Sequence, residues 1–219
     1  MARMAVETGV TGIVATPHFP GRSDSLHRIG DLLDRYEWLR RAVRAQRLPL
    51  TIYPGAEILC LPETPALAAR KALPTIGNTP YFLTEFYFDE SFSRMDAMLD
   101  ALANQGYIPV VAHPERYHAI QADPHLLKRW HQLGYCLQIN KGSPLGSFGP
   151  DPEEASAAIL EMGLAHLIAS DAHSAKRRTT HMGAIQLWLA ENCDPDYVRI
   201  LLERNPSRLV SGNRLISYR

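Results

Sequence analysis

Histidine, glutamate and aspartate recur in this chain at one kind of place, the C-terminal end of a short apolar run. Gly12-Ile13-Val14-Ala15-Thr16 runs through Pro17 into His18, and Thr51-Ile52-Tyr53 leads to Glu57. The run at 81–86 holds Glu85 near its end. Ile108-Pro109-Val110-Val111-Ala112 leads into His113, with Glu115 and Arg116 behind it, and Ala165-His166-Leu167-Ile168-Ala169 leads into Asp171 and His173. Imidazole nitrogens and carboxylate oxygens are ligands for hard or borderline divalent ions; a carboxylate can bridge two ions, while an imidazole fixes geometry at one. Six such donors delivered by five strands to one rim suit two or three ions such as Mn, Fe, Co, Zn or Mg.

No one of these residues carries the argument alone. A single histidine beside a strand is more often packed or capping, Glu85 alone could be a buried partner of a helix, and Asp171 alone could cap the helix that follows. The joint placement is the signal. His27, His118, His125, His131 and His181 fall on helices or loops and His166 opens a strand, so none of them shares it. Arg116 follows His113 by three positions, and Arg177 and Arg178 follow His173 closely. A guanidinium meets phosphate with a planar two-point fork, so these residues suit an anionic substrate. Asn140-Lys141-Gly142-Ser143 adds amides and a charge at the same rim.

A second motif, Cys193 and Arg199 with five residues between them, has the Cys-x5-Arg spacing of cysteine phosphatases. That chemistry needs free loop amides around phosphate and a thiol of lowered pKa. Here the loop carries Asp194 and Asp196, which repel phosphate, and Pro195, which has no amide hydrogen. There is no Gly-x-Ser-x-Gly elbow and no Walker loop either.

The elements that must position the ligand set alternate. Strands are expected at 12–16, 51–53, 81–86, 108–112, 135–140 and 165–169. Helices are expected at 26–46, 64–72, 93–105, 124–133 and 153–162, and over most of 179–208. In the first long helix Leu26, Ile29, Leu33, Tyr36 and Val43 fall near one face. Unalternating apolar strands joined through helices imply a parallel α/β sheet with helices outside. A closed or nearly closed (β/α) barrel is expected rather than an open doubly wound sheet, because no glycine-rich phosphate loop follows any strand. In such barrels chemistry collects at the C-terminal ends of the strands. No linker composition interrupts residues 1–219, which read as one domain.

Bulk composition narrows the class. With 46% hydrophobic residues the chain can bury a full core. Lys+Arg and Asp+Glu both count 23, which leaves no basic excess for nucleic acid. Cys60, Cys136 and Cys193 lie far apart without CxxC pairing, which fits a reducing cytoplasm rather than a disulfide framework or thiolate zinc site. No apolar run approaches the ~18 residues that span a bilayer, so no membrane insertion is expected.

The motifs in order are Ile13-Val14-Ala15-Thr16-Pro17-His18, Pro54-Gly55-Ala56-Glu57-Ile58, Ala112-His113-Pro114-Glu115-Arg116-Tyr117, Gln138-Ile139-Asn140 with Gly142-Ser143, and Ala169-Ser170-Asp171-Ala172-His173. Together they resemble the capsular-polysaccharide-type bacterial tyrosine phosphatases of the PHP (polymerase and histidinol phosphatase) superfamily, over nearly the whole chain. The resemblance implies a distorted α/β barrel of the PHP type with a manganese-type metal cluster. It implies His18, Glu57, Glu85, His113, Asp171 and His173 as metal ligands, and Arg116 and Arg178 as catalytic residues holding phosphate. It implies hydrolysis of phosphotyrosine on a partner tyrosine kinase that controls exopolysaccharide or capsule synthesis. Attack would come directly from water, with no covalent cysteine intermediate. An oligomer is compatible with this reading.

The family opens with a strand carrying Asp-x-His-x-His and then an Asp-Gly segment, and nothing like it precedes Thr16. Residues 1–9 read as the last turns of a helix stopped by Gly9. The expectation is therefore a barrel lacking its first strand and a chain of reduced metal content. Lys141 and Tyr87 stand where the family usually has a small residue and proline. The rival readings are a small-molecule phosphomonoesterase of the histidinol-phosphate type and an inactive domain that only binds a kinase or a metal.

Overall fold

The computed structural model describes residues 1–219. Helix α1 (Ala2–Glu7) enters β1 (Gly12–Ala15) and, after a break at Thr16-Pro17, β2 (His18–Pro20). A 3-10 turn (Ser23–Arg28) leads into α2 (Ile29–Ala45), then β3 (Thr51–Pro54) and β4 (Glu57–Leu59). There follow α3 (Thr64–Ala69), β5 (Tyr81–Glu85), α4 (Phe92–Ala103), β6 (Ile108–Ala112), the short helices α5 (His118–Ala122) and α6 (Leu127–Gln132), and β7 (Cys136–Asn140). The chain ends through α7 (Pro150–Glu161), β8 (Leu167–Ala169), α8 (Gly183–Asn192), α9 (Pro195–Arg199), a π-turn (Ile200–Arg204) and α10 (Asn205–Val210).

Every strand pairing is parallel. The order β2-β4-β5-β6-β7-β8 follows the sequence, with β1 paired to β3 just ahead of the β2–β4 pair. The six expected strands are therefore all present, and the parallel α/β architecture is as read. Two details differ. The barrel is not closed, because β2 and β8 lie at opposite edges and share no backbone pairing. The first two strands also do not stop at their ligands. They break at Thr16-Pro17 and Gly55-Ala56 and resume, so His18 and Glu57 open β2 and β4 and pair with each other. Pro17 has no N–H for a ladder, and its carbonyl accepts the Glu57 N–H at 3.1 Å across the break.

Strands β4 to β8 are largely buried on both faces, which is why they read as mainly apolar runs, whereas β1 has no fully buried residue. Phe82, Val111, Leu137 and Ile168 point to the larger core, with Met95, Leu99 and Trp130 from the helices. Tyr81, Leu83, Val110, Ala112, Cys136 and Leu167 point to the other face, where Ile76, Leu209 and Leu215 cover them. The Tyr81 hydroxyl fixes that cover by donating to the Asn213 carbonyl at 2.8 Å and accepting from the Leu215 N–H at 3.1 Å. With a side-chain period of two, Glu85 follows Tyr81 and Leu83 onto this second face, and Asn140 follows Cys136. The helix-to-strand turns at Gly106 and Gly134 are as expected: both glycines take positive φ, and their N–H groups bond the carbonyls of Ala103 and His131.

Helix α2 departs from its expected burial. It buries Val43 alone, and Leu33 is 50% exposed. The helix sits over β3, where the Tyr36 hydroxyl donates to the Ile52 carbonyl at 3.1 Å, rather than over the middle of the sheet. None of the helices is long and apolar enough to cross a membrane.

Candidate metal centre

The sheet curls until residues from its first and last strands meet. His18 Nε2, at the start of β2, is 3.3 Å from Nε2 of His173, beyond β8. Between these edges the other strands deliver the rest. His18 Nδ1 is 2.7 Å from Glu85 Oε1 and 3.8 Å from Glu57 Oε2. His113 Nε2 is 3.0 Å from Glu57 Oε1 and 3.6 Å from Glu85 Oε2. His173 Nδ1 is 3.5 Å from Asp171 Oδ1. All six expected residues thus lie on one rim. Ligand atoms of His18, Glu57 and Glu85 lie within 4.8 Å of one another, a His/Glu group able to hold a metal ion.

The spacing and chemistry fit a divalent ion. Bonds of ~2.0–2.2 Å put neighbouring ligand atoms about 3 Å apart, the range of the His18, Glu57, Glu85 and His113 separations. The cluster also draws positive charge. Burial works against a charge on His113, yet its bonds to Glu57 and Glu85 outweigh that and push its pKa up to about 9. Burial likewise acts to raise Glu85, but its bonds to His113 and His18 hold it below the usual carboxylate value. The other ring nitrogen, His113 Nδ1, is buried without a hydrogen-bond partner.

Beside the cluster two guanidiniums share one carboxylate. Arg178 Nη2 donates to Asp171 Oδ2, and its Nε donates to the Asp171 carbonyl at 3.2 Å. Arg116 Nη1 is 4.0 Å from the same Oδ2. Burial and then the charge of Arg178 draw the Arg116 pKa down. Asn140 Nδ2 also donates to Asp171 Oδ2, at 2.5 Å. That leaves Oδ1 on the His173 side. Two cations beside one carboxylate make an anion site next to the ligand cluster.

Two neighbouring residues do not play the part their position suggested. The Lys141 ammonium donates to the carbonyls of Thr179 and His181, at 2.5 and 2.6 Å, so it ties down the 179–181 loop instead of adding a free charge to the rim. Arg177 is exposed. Cys193 is half-buried, and burial pushes its thiol pKa up. Arg199 lies in helix α9 and pairs with Asp196. The Cys-x5-Arg spacing therefore builds no phosphate loop.

Sequence reasoning missed three contributors. Glu115 is fully buried under the rim, and its Oε1 accepts from the Asn140 N–H at 3.0 Å and the Ser143 hydroxyl at 2.6 Å. It thereby sets the strand end that carries Asn140 to Asp171. Phe88 and Phe148 flank Arg116, with their centroids 4.4 and 4.6 Å from Cζ. A glutamate directly between His113 and Arg116 was the available signal for the first. The phenylalanines come from segments 60 residues apart and carry no local signal.

The family model for capsular polysaccharide synthesis proteins, CpsB/CapC, matches residues 1–211. The chain is 35% identical over 186 residues to the tyrosine-protein phosphatase YwqE of Bacillus subtilis (strain 168), covering 83% of this chain and 71% of YwqE. It is 25% identical over 209 residues to the tyrosine-protein phosphatase CpsB of Streptococcus pneumoniae, covering 92% of this chain and 85% of CpsB. It superposes, with TM-score 0.88 and 31% identity over 99% of this chain and 87% of the other, on a chain from the crystal structures of YwqE from Bacillus subtilis and CpsB from Streptococcus pneumoniae, described there as unique metal-dependent tyrosine phosphatases. A match over nearly the full length, together with a rim of this composition, places the chain in the CpsB/CapC family of capsular polysaccharide synthesis.

Proposed function

We propose that residues 1–219 form one metallophosphoesterase domain, a metal-dependent protein-tyrosine phosphatase. Its substrate is phosphotyrosine on a partner bacterial tyrosine kinase, in the cytoplasm, in the regulation of capsule or exopolysaccharide synthesis. The observation that carries this reading is the convergence on one rim of six N/O donors and two guanidiniums. The names of the relatives and of the superposed structures support it.

His18, Glu57, Glu85, His113, Asp171 and His173 hold the ions, Mn in the first place, with Fe, Co, Zn or Mg as alternatives. Ions held there supply Lewis acidity and lower the pKa of water. Arg116 and Arg178 bind the phosphoryl oxygens and offset the charge that builds on them during transfer. Asn140 and Arg178 keep Asp171 Oδ2 occupied and so fix the carboxylate's orientation.

Hydrolysis of a phosphotyrosyl peptide is to be measured before and after chelation, beside a small phosphomonoester such as histidinol phosphate. Activity is lost with the chelator and returns with Mn, and the peptide is the better substrate. Arg116→Ala lowers kcat/KM by about 10²-fold, as expected for removing one donor to the transferring group, while Arg44→Ala on exposed α2 leaves it unchanged. Turnover that survives complete metal removal overturns the reading, and a preference for histidinol phosphate replaces it with the small-molecule one.

A further inference from the structure

The Arg116 guanidinium is held between two aromatic rings. Its Cζ lies 4.4 Å from the Phe88 centroid and 4.6 Å from that of Phe148, and Arg178 Cζ lies 5.6 Å from Phe148. The guanidinium carbon thus lies over two ring faces, while its Nη1 points toward Asp171 at the site. The rings reach this place from different segments. Phe88 follows β5, where its carbonyl accepts the His118 N–H at 2.8 Å, and Phe148 lies in the turns between β7 and α7.

Neither ring belongs to the core. Phe88 is 39% exposed and Phe148 is partly exposed, and both lie outside the two core clusters. Tyr87, next to Phe88, is 56% exposed. Aromatic area thus stays open to solvent around the phosphate-binding edge. The chain also leaves room for it, since a Cβ on Gly142 would come within 2.8 Å of Phe148 Cε2.

We propose that Phe88 and Phe148 are specificity-determining residues that select aryl over alkyl phosphomonoesters. This rests on the phosphate site proposed above and adds what reads the rest of the substrate. In an aryl phosphate the ring begins one ester oxygen away from phosphorus. A phosphoryl group seated on the edge of Arg116 therefore places that ring beside the two phenylalanines. An alkyl ester such as phosphoserine offers one methylene there instead. Offset or edge-to-face contact and the apolar area it covers favour the aryl ligand.

The test uses the Mn-loaded full chain and two non-hydrolysable probes, phenylphosphonate and methylphosphonate, with affinities from isothermal titration calorimetry. The wild-type chain binds the phenyl probe about tenfold more tightly, the size of one aromatic contact with its buried area. In Phe88→Leu/Phe148→Leu that ratio falls below about threefold while methylphosphonate affinity holds. Gly142→Ala, which displaces Phe148 without touching Arg116, lowers the ratio in the same direction. Wild-type binding without a phenyl preference, or no binding of the phenyl probe, overturns the proposal. So does an unchanged ratio in the double variant. A parallel fall in both affinities overturns it too, because the rings would then only position Arg116. Turnover is followed separately on phenyl phosphate. A phenyl preference in binding without hydrolysis of any ester removes the phosphatase reading and keeps the aryl selection, whereas hydrolysis without a phenyl preference does the reverse.

Discussion

Glu115 offers a quantitative test of how the rim is held in place. Its carboxyl is completely buried, and burial raises its pKa despite the Ser143 hydroxyl bond and the nearby His113. Oε1 takes two hydrogen bonds, from the Asn140 N–H and the Ser143 hydroxyl, while Oε2 has no partner. In Glu115→Ala both donors lose their acceptor in a buried place, at roughly 1–3 kcal/mol each. Relief of the buried carboxylate offsets part of this, so a net loss of about 3 kcal/mol is expected. For a chain of this size that lowers Tm by about 6–12 °C. Glu115→Gln keeps an oxygen for both donors and puts an amide where Oε2 stands. The count of unpaired atoms stays the same and the charge is gone, so its cost should stay under about 1 kcal/mol. Urea unfolding of the metal-free chain measures both variants without added stabilisation from a bound ion. Equal losses for Glu115→Gln and Glu115→Ala would show that the charge matters and not the acceptor geometry. A loss below about 1 kcal/mol for Glu115→Ala would refute the account of Glu115 as the support of the Asn140 strand end.

Cys193→Ser should leave phosphotyrosyl hydrolysis unchanged, because burial keeps the thiol protonated and Arg199 is engaged with Asp196; a steady-state assay showing abolished turnover in a folded variant would return the reaction to thiol chemistry. His166 should make stability depend on pH. Burial, and then the nearby His131, lower its pKa from 6.5 to about 4 in the folded chain, so the unfolded chain takes up the proton first. Stability therefore falls as pH drops from about 6.5 to about 4, by up to ~3 kcal/mol. His166→Asn, which does not titrate, should flatten the curve of unfolding free energy against pH over that window, and an unchanged slope would count against this assignment.

The fold was legible where burial is two-sided. β6 shows as an apolar run between Gly106 and the ligand His113, and β7 as a mainly apolar run between Gly134 and Asn140, and the structure follows those bounds closely. It was less legible where pairing is local. β2 is three residues long and contains proline, and β4 is as short, so neither carries a pattern of its own. They exist because each is held by the other across the Thr16-Pro17 and Gly55-Ala56 breaks. Helix α2 misleads in the opposite way. Its apolar spacing predicts a buried face including Leu33, but Val43 alone is fully buried, Ile29 and Leu32 are only partly buried against the core, and Leu33 is left exposed. The 3-10 turn Pro114–Arg116 and α5 are too short to show a helical period.

The candidate site was legible for a related reason and hidden for another. Donor type and strand parity together point to Glu85 and Asn140. They do not show how His113, Asp171 and Arg178 are aimed. These three take φ of 35°, 43° and 49°, and they make up half of the six non-glycine residues with positive φ. Such a conformation costs about 1–2 kcal/mol per residue, least for aspartate, whose short side chain is tolerated there. At most positions glycine would replace them and mark the turn in the sequence. Here the chemistry fixes the residue type: His113 must reach Glu57 and Glu85, and Arg178 must reach Asp171. The strain therefore leaves no trace in composition. At His113 and Asp171 it lies just past the ends of β6 and β8, because the chain there must turn off the sheet within one or two residues while its side chains stay on the rim; Arg178 lies further on, in the loop that returns to Asp171. Burial of the neighbouring Ala112, Pro114 and Glu115 holds the first of these turns. The Asp171 bonds to Arg178 and Asn140 hold the second, so the contacts that orient the donors are also the ones that offset the backbone cost.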